Sequence, residues 1–484
     1  MTATLRAVLD GADDDVVAYA GAEHATRGQL RGLARALTVD LRAHDLDGRA
    51  IGVLMPNEPA AIAAWFGVWG AGSAFVPLNP RAPTAELVRS IASAGVAAVV
   101  TNHELAAAVG GDVRDIVGTP YRVVALAPEH PRAVMPDQAI VQFTSGTTGV
   151  PKAVVLRHDT VGELLDSVIG TLRGARQSDR ARMPNLVPMS LSLWAGIYQV
   201  LFAFTLDVPV VLMAEFEPRE FARLVARYGI RSSVLPPAAL VMLTDDPEVE
   251  TLEPLRYVRS VSAPLSPAHA RRFHERFGVA ILNGYGQTEL GGEAVGWSAA
   301  DWKEFGTRKL GAVGRPHAAF HVRVRTEAGE IGGTDAIGEL EIRSSSALPP
   351  DDAAMEGRVT SDGWLKTGDL ARVDADGFVW IEGRVSAMIN RGGLKVFPDE
   401  VEERIRALDG VTDVAVAGVP DDRLGEVPWA FVVGITDLAA VQTWCRDTLA
   451  PYKVPAGLTL VPELPRNETG KVLRQDLVPL VTRP

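Results

Sequence analysis

The chain has 484 residues, a formal net charge of −12 and a single cysteine. That length exceeds what one hydrophobic core serves and implies two or more domains, and the acidic surface argues against a nucleic-acid partner, whose phosphates it would repel. Cys445 alone excludes an internal disulfide framework and a cysteine-based zinc site, which fits a reducing cytoplasm.

From the N-terminus, Asp10 and Asp13 to Asp15 stand where a secretory signal would place basic and then apolar residues, so export is not expected. Two uncharged runs, Pro59 to Pro80 and Met183 to Leu206, raise the question of a membrane span. Both contain internal Pro, Gly or Ser, and each reads better as a buried helix plus a buried strand. Short β-branched runs at Ile51–Leu54, Ala97–Val100, Val208–Leu212 and Ser232–Leu235 alternate with alanine-rich helical stretches, the pattern of doubly wound parallel sheets. After about Gly311 the texture changes to strands and turns, as in Phe320–Val324 and Gly338–Ile342, and predicts a small β region closing a large N-terminal domain.

A boundary near Arg384 to Ala387 divides the chain into 1–385 and 386–484. Beyond it Pro398 opens a helix with Val401, Ile405 and Leu408 on one face. Strands at Asp413–Ala417 and Trp429–Val433 and a helix around Val441 to Leu449 follow. This is a compact α+β domain of about a hundred residues, an ordinary domain size.

The run Phe143-Thr144-Ser145-Gly146-Thr147-Thr148-Gly149-Val150-Pro151-Lys152 crowds hydroxyls and glycines into one short segment. Glycines let backbone N–H groups approach an anion, hydroxyls donate to it, and Lys152 adds positive charge. A polar surface turn explains the segment equally well in isolation. The P-loop of phosphate-transferring ATPases does not fit, because Pro151 replaces its second glycine and Ala153 its magnesium-binding hydroxyl.

Four downstream segments change the balance: Asn283-Gly284-Tyr285-Gly286-Gln287-Thr288-Glu289, Lys366-Thr367-Gly368-Asp369, Gly383-Arg384 with Gly392-Gly393-Leu394-Lys395, and Pro465 through Lys471. With the first loop, in this order, they resemble the adenylate-forming superfamily of acyl-CoA synthetases, peptide-synthetase adenylation domains and luciferases. The resemblance covers roughly residues 25 to 475. It implies that a carboxylate attacks the α-phosphate of ATP, and that a thiol then takes the acyl group from the adenylate.

By that resemblance Thr144 to Lys152 wraps the β- and γ-phosphates, with Ser145, Gly146, Thr147, Thr148 and Gly149 in the loop. Thr144 and Glu289 hold Mg2+, Thr288 donates to the α-phosphate, and Tyr285 stacks on adenine with Gly284 and Gly286 leaving room. Asp369, read as a turn residue, and Arg384 take the ribose. Lys471 bridges the substrate carboxylate and the α-phosphate, then leaves as the C-terminal domain turns about Ser386. In the second orientation Gly392, Gly393 and Leu394 line the CoA tunnel. The Ser386-Ala387 pair departs from the usual acidic or basic hinge residues.

The acyl pocket is expected from Leu191, Trp194, Pro236, Ala263, Gly284 and Gln287, which are apolar or small. Met183 to Leu206 holds no acidic residue to meet an ammonium group, so a neutral-tailed acid, hydrophobic or bulky, is favoured. Leu191 stands where many relatives have histidine. Transfer to CoA is the leading expectation. Loading of a separate acyl-carrier protein, a luciferase-like oxygenase and a non-catalytic adenylate-binding protein are the alternatives. The identity of the acid and the oligomeric state stay open at this level.

Overall fold

The structure, a computed structural model, describes residues 9–21, 23–128, 130–144, 152–173, 183–344, 347, 355, 357–466 and 472–481. Within them the side chains of 143, 144, 152, 153, 167–173 and 288 are not described. Among the described residues four sheets form.

In the seven-stranded sheet, Ala98–Thr101, Ala50–Leu54, Ala74–Leu78 and Gln138–Thr144 run parallel at the centre, and antiparallel strands close both edges. Every residue of the first two is buried, so they need no alternation of apolar and polar positions. The uncharged run after Asn57 resolves into the helix Pro59–Gly70, buried from Ala60 to Trp69, and the strand Ala74–Leu78. Gly67 brings that helix against Arg27–Ala43: a Cβ there would lie 2.9 Å from the Ala34 carbonyl, and Thr38 Oγ1 donates to the Gly67 carbonyl at 2.9 Å. No described helix is long and apolar enough to cross a membrane.

Met183 to Leu206 likewise divides into the strand Asn185–Val187, in a four-stranded sheet with Val210–Leu212, Val16–Ala20 and Glu23–Thr26, and the helix Trp194–Thr205. The third sheet has nine strands and begins with the parallel set Ser232–Leu235, Tyr257–Ser260 and Ala280–Gln287. The strand-and-turn region after Gly311 makes no separate sheet. Ala312–Pro316 pairs with Gly292–Gly296 on one side and Val379–Arg384 on the other, so the small β region is the antiparallel half of the same sheet. One register of that half sets Asp369 opposite Arg384.

The chain leaves this sheet at Arg384, passes through the 3-10 turn Val385–Ala387 that contains Ser386, and enters a five-stranded sheet at Ile389. Val401 and Ile405 of the helix Pro398–Arg406 are fully buried there, and Leu408 packs on the same core from beyond the helix end. The second helix is Leu438–Arg446, starting ahead of its predicted position because Asp437 caps it through the Ala440 N–H at 2.8 Å.

This C-terminal part docks on the large part through Glu403. Its carboxylate accepts from Ser266 Oγ at 2.7 Å and from the Ala268 N–H at 3.3 Å, at the N-terminus of the helix Pro267–Phe277. A second contact joins Lys395 to Glu327 at 2.5 Å. An acceptor at a helix N-terminus satisfies otherwise orphaned N–H groups and meets the positive end of the helix dipole. Glu403→Ala is expected to weaken docking by about 1–2 kcal/mol. Limited proteolysis at Val385–Met388 should then accelerate roughly 5- to 30-fold; an unchanged rate would contradict this latch.

Candidate functional site

Side chains from two distant segments converge on Asp369. It lies within the strand Leu365–Val373 rather than in a turn, and it is 4% exposed. Tyr285 Oη donates to Asp369 Oδ2 at 2.5 Å, Gln287 Nε2 donates to the same oxygen at 2.9 Å, and Arg384 Nε approaches Oδ1 at 2.6 Å. Thr367 Oγ1 accepts from the Asp369 N–H at 3.1 Å and donates to the Leu340 carbonyl at 2.8 Å, which fixes the strand locally. Gly368, at φ +75°, supplies the left-handed step that bends the backbone just before the carboxylate.

A buried carboxylate is tolerated only with such partners. It has roughly four lone-pair sites, and these side chains occupy three of them. Burial first, and then the Asp369 carboxylate, push the Tyr285 phenol well above its ordinary pKa. The phenol therefore stays protonated and remains a donor through the neutral range.

Gln287, expected in the acyl pocket, commits its amide to the polar cluster around Asp369. Its Nε2 also reaches Tyr285 Oη at 3.1 Å and the Thr367 carbonyl at 2.9 Å, while its Oε1 accepts from Arg358 Nη2 at 2.8 Å. An amide has donors and an acceptor to satisfy, and the polar cluster satisfies both. Arg358 was missed from the sequence, where it is one arginine among many in a polar stretch. Its Nη1 pairs with Glu289, whose side chain is 12% exposed, and its Nε donates to the Lys366 carbonyl at 3.3 Å.

Glu289 sits in the 3-10 turn Thr288–Leu290. A carboxylate is a hard oxygen ligand that fits Mg2+, and no group of three or more metal-ligating side chains forms among the described residues. A magnesium ion here would draw most of its ligands from phosphate and water, its usual habit in nucleotide sites. Gly286 allows the close approach of neighbouring strands, because a Cβ there would lie 1.9 Å from the Gly292 carbonyl.

Thr144 and Lys152 face each other as the facing ends of two antiparallel strands. Ser145, Gly146, Thr147, Thr148, Gly149 and Lys471 lie outside the described residues, as do the side chains of Thr144, Lys152 and Thr288. The flanks of Lys471 are tied down. Arg466 bridges to Val472 and pairs with Asp413 at 2.5 Å, and Arg474 binds Asp399 at 2.6 Å and the buried Glu402 at 2.8 Å.

Of the expected acyl-pocket residues, Leu191 is buried and its N–H donates to Asn57 Oδ1 at 2.8 Å. Asn57 also donates to the Met189 and Met213 carbonyls, at 3.0 and 2.9 Å, and so pins the segment that precedes Trp194. The Trp194 ring meets Tyr198 at 5.8 Å. Pro236 and Ala263 stand just past the C-terminal ends of two adjacent parallel strands, and Gly284 just past the point where the third stops pairing in parallel, the end at which α/β sheets bind ligands. Gly392 and Gly393, at φ +58° and +89°, form the tip between Ile389–Arg391 and the strand that Leu394 begins. A Cβ on Gly393 would meet nothing within 4 Å, and Leu394 is half exposed.

With this geometry in hand, comparison with known proteins is informative. The family described as AMP-binding enzyme matches residues 6–349, and the AMP-binding enzyme C-terminal domain matches residues 400–471. The sulfoacetate–CoA ligase of Cupriavidus necator is 30% identical, over 89% of this chain and 87% of that protein. The long-chain-fatty-acid–CoA ligase FadD13 of Mycobacterium tuberculosis is 28% identical, over 93% of this chain and 92% of that protein. Among solved structures, the amide bond synthetase McbA of Marinactinospora thermotolerans superposes with a TM-score of 0.83 at 27% identity, covering 99% of both chains.

The cluster predicts an order of effects. Asp369→Asn is expected to raise the KM for ATP roughly 10- to 100-fold, the scale of losing a charged hydrogen-bond acceptor, and Tyr285→Phe less than about 10-fold. Pyrophosphate-exchange kinetics check this, and equal effects of the two substitutions would contradict the central place of Asp369.

Proposed function

The chain belongs to the AMP-binding enzymes, and on that footing we propose that it activates a bulky, largely apolar carboxylic acid with ATP and passes the acyl group to CoA. It is an enzyme of the AMP-forming acid–thiol ligase class. The observation that carries the reading is the Asp369 cluster, which brings Tyr285, Gln287 and Arg384 to one buried acceptor at the mouth of the parallel strands.

In this reading Asp369 accepts from a ribose hydroxyl through its remaining lone pair, and Arg384 steadies it from the adjoining strand. Tyr285 offers its ring to adenine. Glu289 and Thr144 are the residues that would hold Mg2+ together with the nucleotide phosphates, and the ion would supply charge neutralisation there. Glu289 exchanges its Arg358 partner as the site fills. Thr288 donates to the α-phosphate, and the loop from Thr144 to Lys152 surrounds the outer phosphates.

Carboxylate and phosphate repel, so adenylation needs a cation between them, and Lys471 fills that role. A flexible point charge suits a group that must arrive for one step and leave for the next. The anchors at Arg466 and Arg474 keep it with the C-terminal part as that part turns about Ser386. Gly392, Gly393 and Leu394 then border the passage for the pantetheine arm of CoA, where a missing side chain leaves room.

The pocket walls support a bulky acid: Leu191 and Trp194 stand on the segment pinned by Asn57, and Tyr198 extends the aromatic surface. A carrier-protein thiol or, given the likeness to an amide bond synthetase, an amine is the alternative acceptor.

Incubating the enzyme with a panel of carboxylic acids, Mg-ATP and either CoA or simple amines, followed by mass spectrometry, tests the proposal. Acyl-CoA with AMP and pyrophosphate is expected. Adenylate without acyl-CoA would contradict CoA as acceptor, and no adenylate from any acid would contradict acid activation. Lys471→Ala should lower ATP–pyrophosphate exchange by at least about 10²-fold, the scale of losing one preorganised electrostatic donor. Full exchange in that variant would remove Lys471 from the first half-reaction.

A further inference from the structure

Beside Gly284, a charged cluster interrupts the apolar lining. Glu293 comes from the strand Gly292–Gly296, which pairs with Ala280–Gln287 so that Gly284 lies opposite Gly296. Its side chain folds back over that glycine pair. A Cβ on Gly284 would lie 2.5 Å from Glu293 Oε2, and one on Gly296 would lie 2.0 Å from Oε1. Only the absence of both side chains lets a carboxylate rest there.

Two cations or donors hold it from one side. Arg259, on the adjacent strand Tyr257–Ser260, gives Nη1 to Glu293 Oε1 and Nη2 to the Trp297 carbonyl at 3.1 Å. His317 Nε2 lies 2.8 Å from the same Oε1. The opposite oxygen, Oε2, has no hydrogen-bond partner among the described residues. The cluster is partly open: side-chain exposures are 31% for Arg259, 20% for Glu293 and 42% for His317. Burial chiefly, and then the charge of Glu293, pushes the Tyr198 phenol above its ordinary pKa, with Arg259 acting the other way.

We propose that Glu293 is the specificity-determining residue at the far wall of the acyl pocket, and that the natural acid carries an N–H or O–H donor on its tail that binds Oε2. This rests on the acid-activating reading above and narrows its substrate class to a bulky acid with a polar, donor-bearing end. The donors of Arg259 and His317 that face Glu293 are already engaged on Oε1, so the group left to recognise a ligand is an acceptor. An acid ending in plain hydrocarbon would cover that oxygen without replacing its water, which is costly at a buried polar group. Sites built to hydrogen-bond a substrate group reject the analogue that lacks it far more strongly than apolar pockets reject a missing methylene.

The test is kcat/KM for acid-dependent ATP–pyrophosphate exchange over matched pairs, ω-hydroxyalkanoic against alkanoic acids and hydroxylated against unsubstituted arylpropenoic acids. Wild type is expected to prefer the donor-bearing member of the best pair by about 10²-fold or more. Glu293→Leu should bring that ratio to within about 3-fold by raising the unsubstituted acid, a gain that a merely damaged fold does not produce. The isosteric Glu293→Gln, whose folding is checked by ATP-dependent thermal protection, should retain part of the preference. Exchange in wild type with the unsubstituted acid favoured, or an unchanged ratio in Glu293→Leu, overturns this proposal and leaves acid activation standing. No exchange with any acid overturns the acid-activating reading, and this proposal with it.

Discussion

A buried carboxylate is the constraint on which the rest of the site depends. Asp369 sits in a strand interior with almost no access to solvent, and the cost of placing a carboxylate there is met by a phenol, an amide and a guanidinium. Those partners come from two other strands of the same sheet, so the antiparallel half of the sheet must register correctly for them to meet. Asp369 opposite Arg384 is the pairing that achieves it. The sheet order then has a consequence for the site: the parallel half delivers Pro236, Ala263 and Gly284 to one end, and the antiparallel half sets Asp369 against Tyr285 and Gln287 of the last parallel strand.

The glycines act by the same logic of close approach. Gly284, Gly286 and Gly296 allow two strands and a folded-back carboxylate to occupy space that any Cβ would fill. At Gly286 the obstacle is backbone, so no side-chain adjustment could relieve it. The C-terminal part is joined to this body differently, by the carboxylate of Glu403 at a helix N-terminus and by a Lys395–Glu327 pair. Both contacts are polar, of the kind found between parts of a chain that move relative to one another.

Much of this was legible in the sequence because motifs with mechanism survive without tertiary information. The Gly284-to-Glu289 run, the Thr367-Gly368-Asp369 step and Gly383-Arg384 each announce backbone freedom beside a polar group, and the apolar runs after Asn57 and Met183 carry the length and punctuation of helix plus strand. What failed depended on partners distant in the chain. Asp369 looked like a turn residue, yet its pairing with Arg384 across the neighbouring strand holds it in the sheet. Nothing in the neighbourhood of Gln287 in the sequence signals that its amide meets Asp369 and Arg358. Arg259, Glu293 and His317 lie on three separate segments, and no spacing in the sequence brings them together.

The most direct test of this account is a crystal structure with a non-hydrolysable acyl-adenylate analogue bound. The account predicts a ribose hydroxyl within hydrogen-bond distance of Asp369 with Arg384 still paired to it, and the acyl tail running past Gly284 toward Glu293. Adenylate bound away from Asp369, with its carboxylate still held only by Tyr285, Gln287 and Arg384, would contradict it.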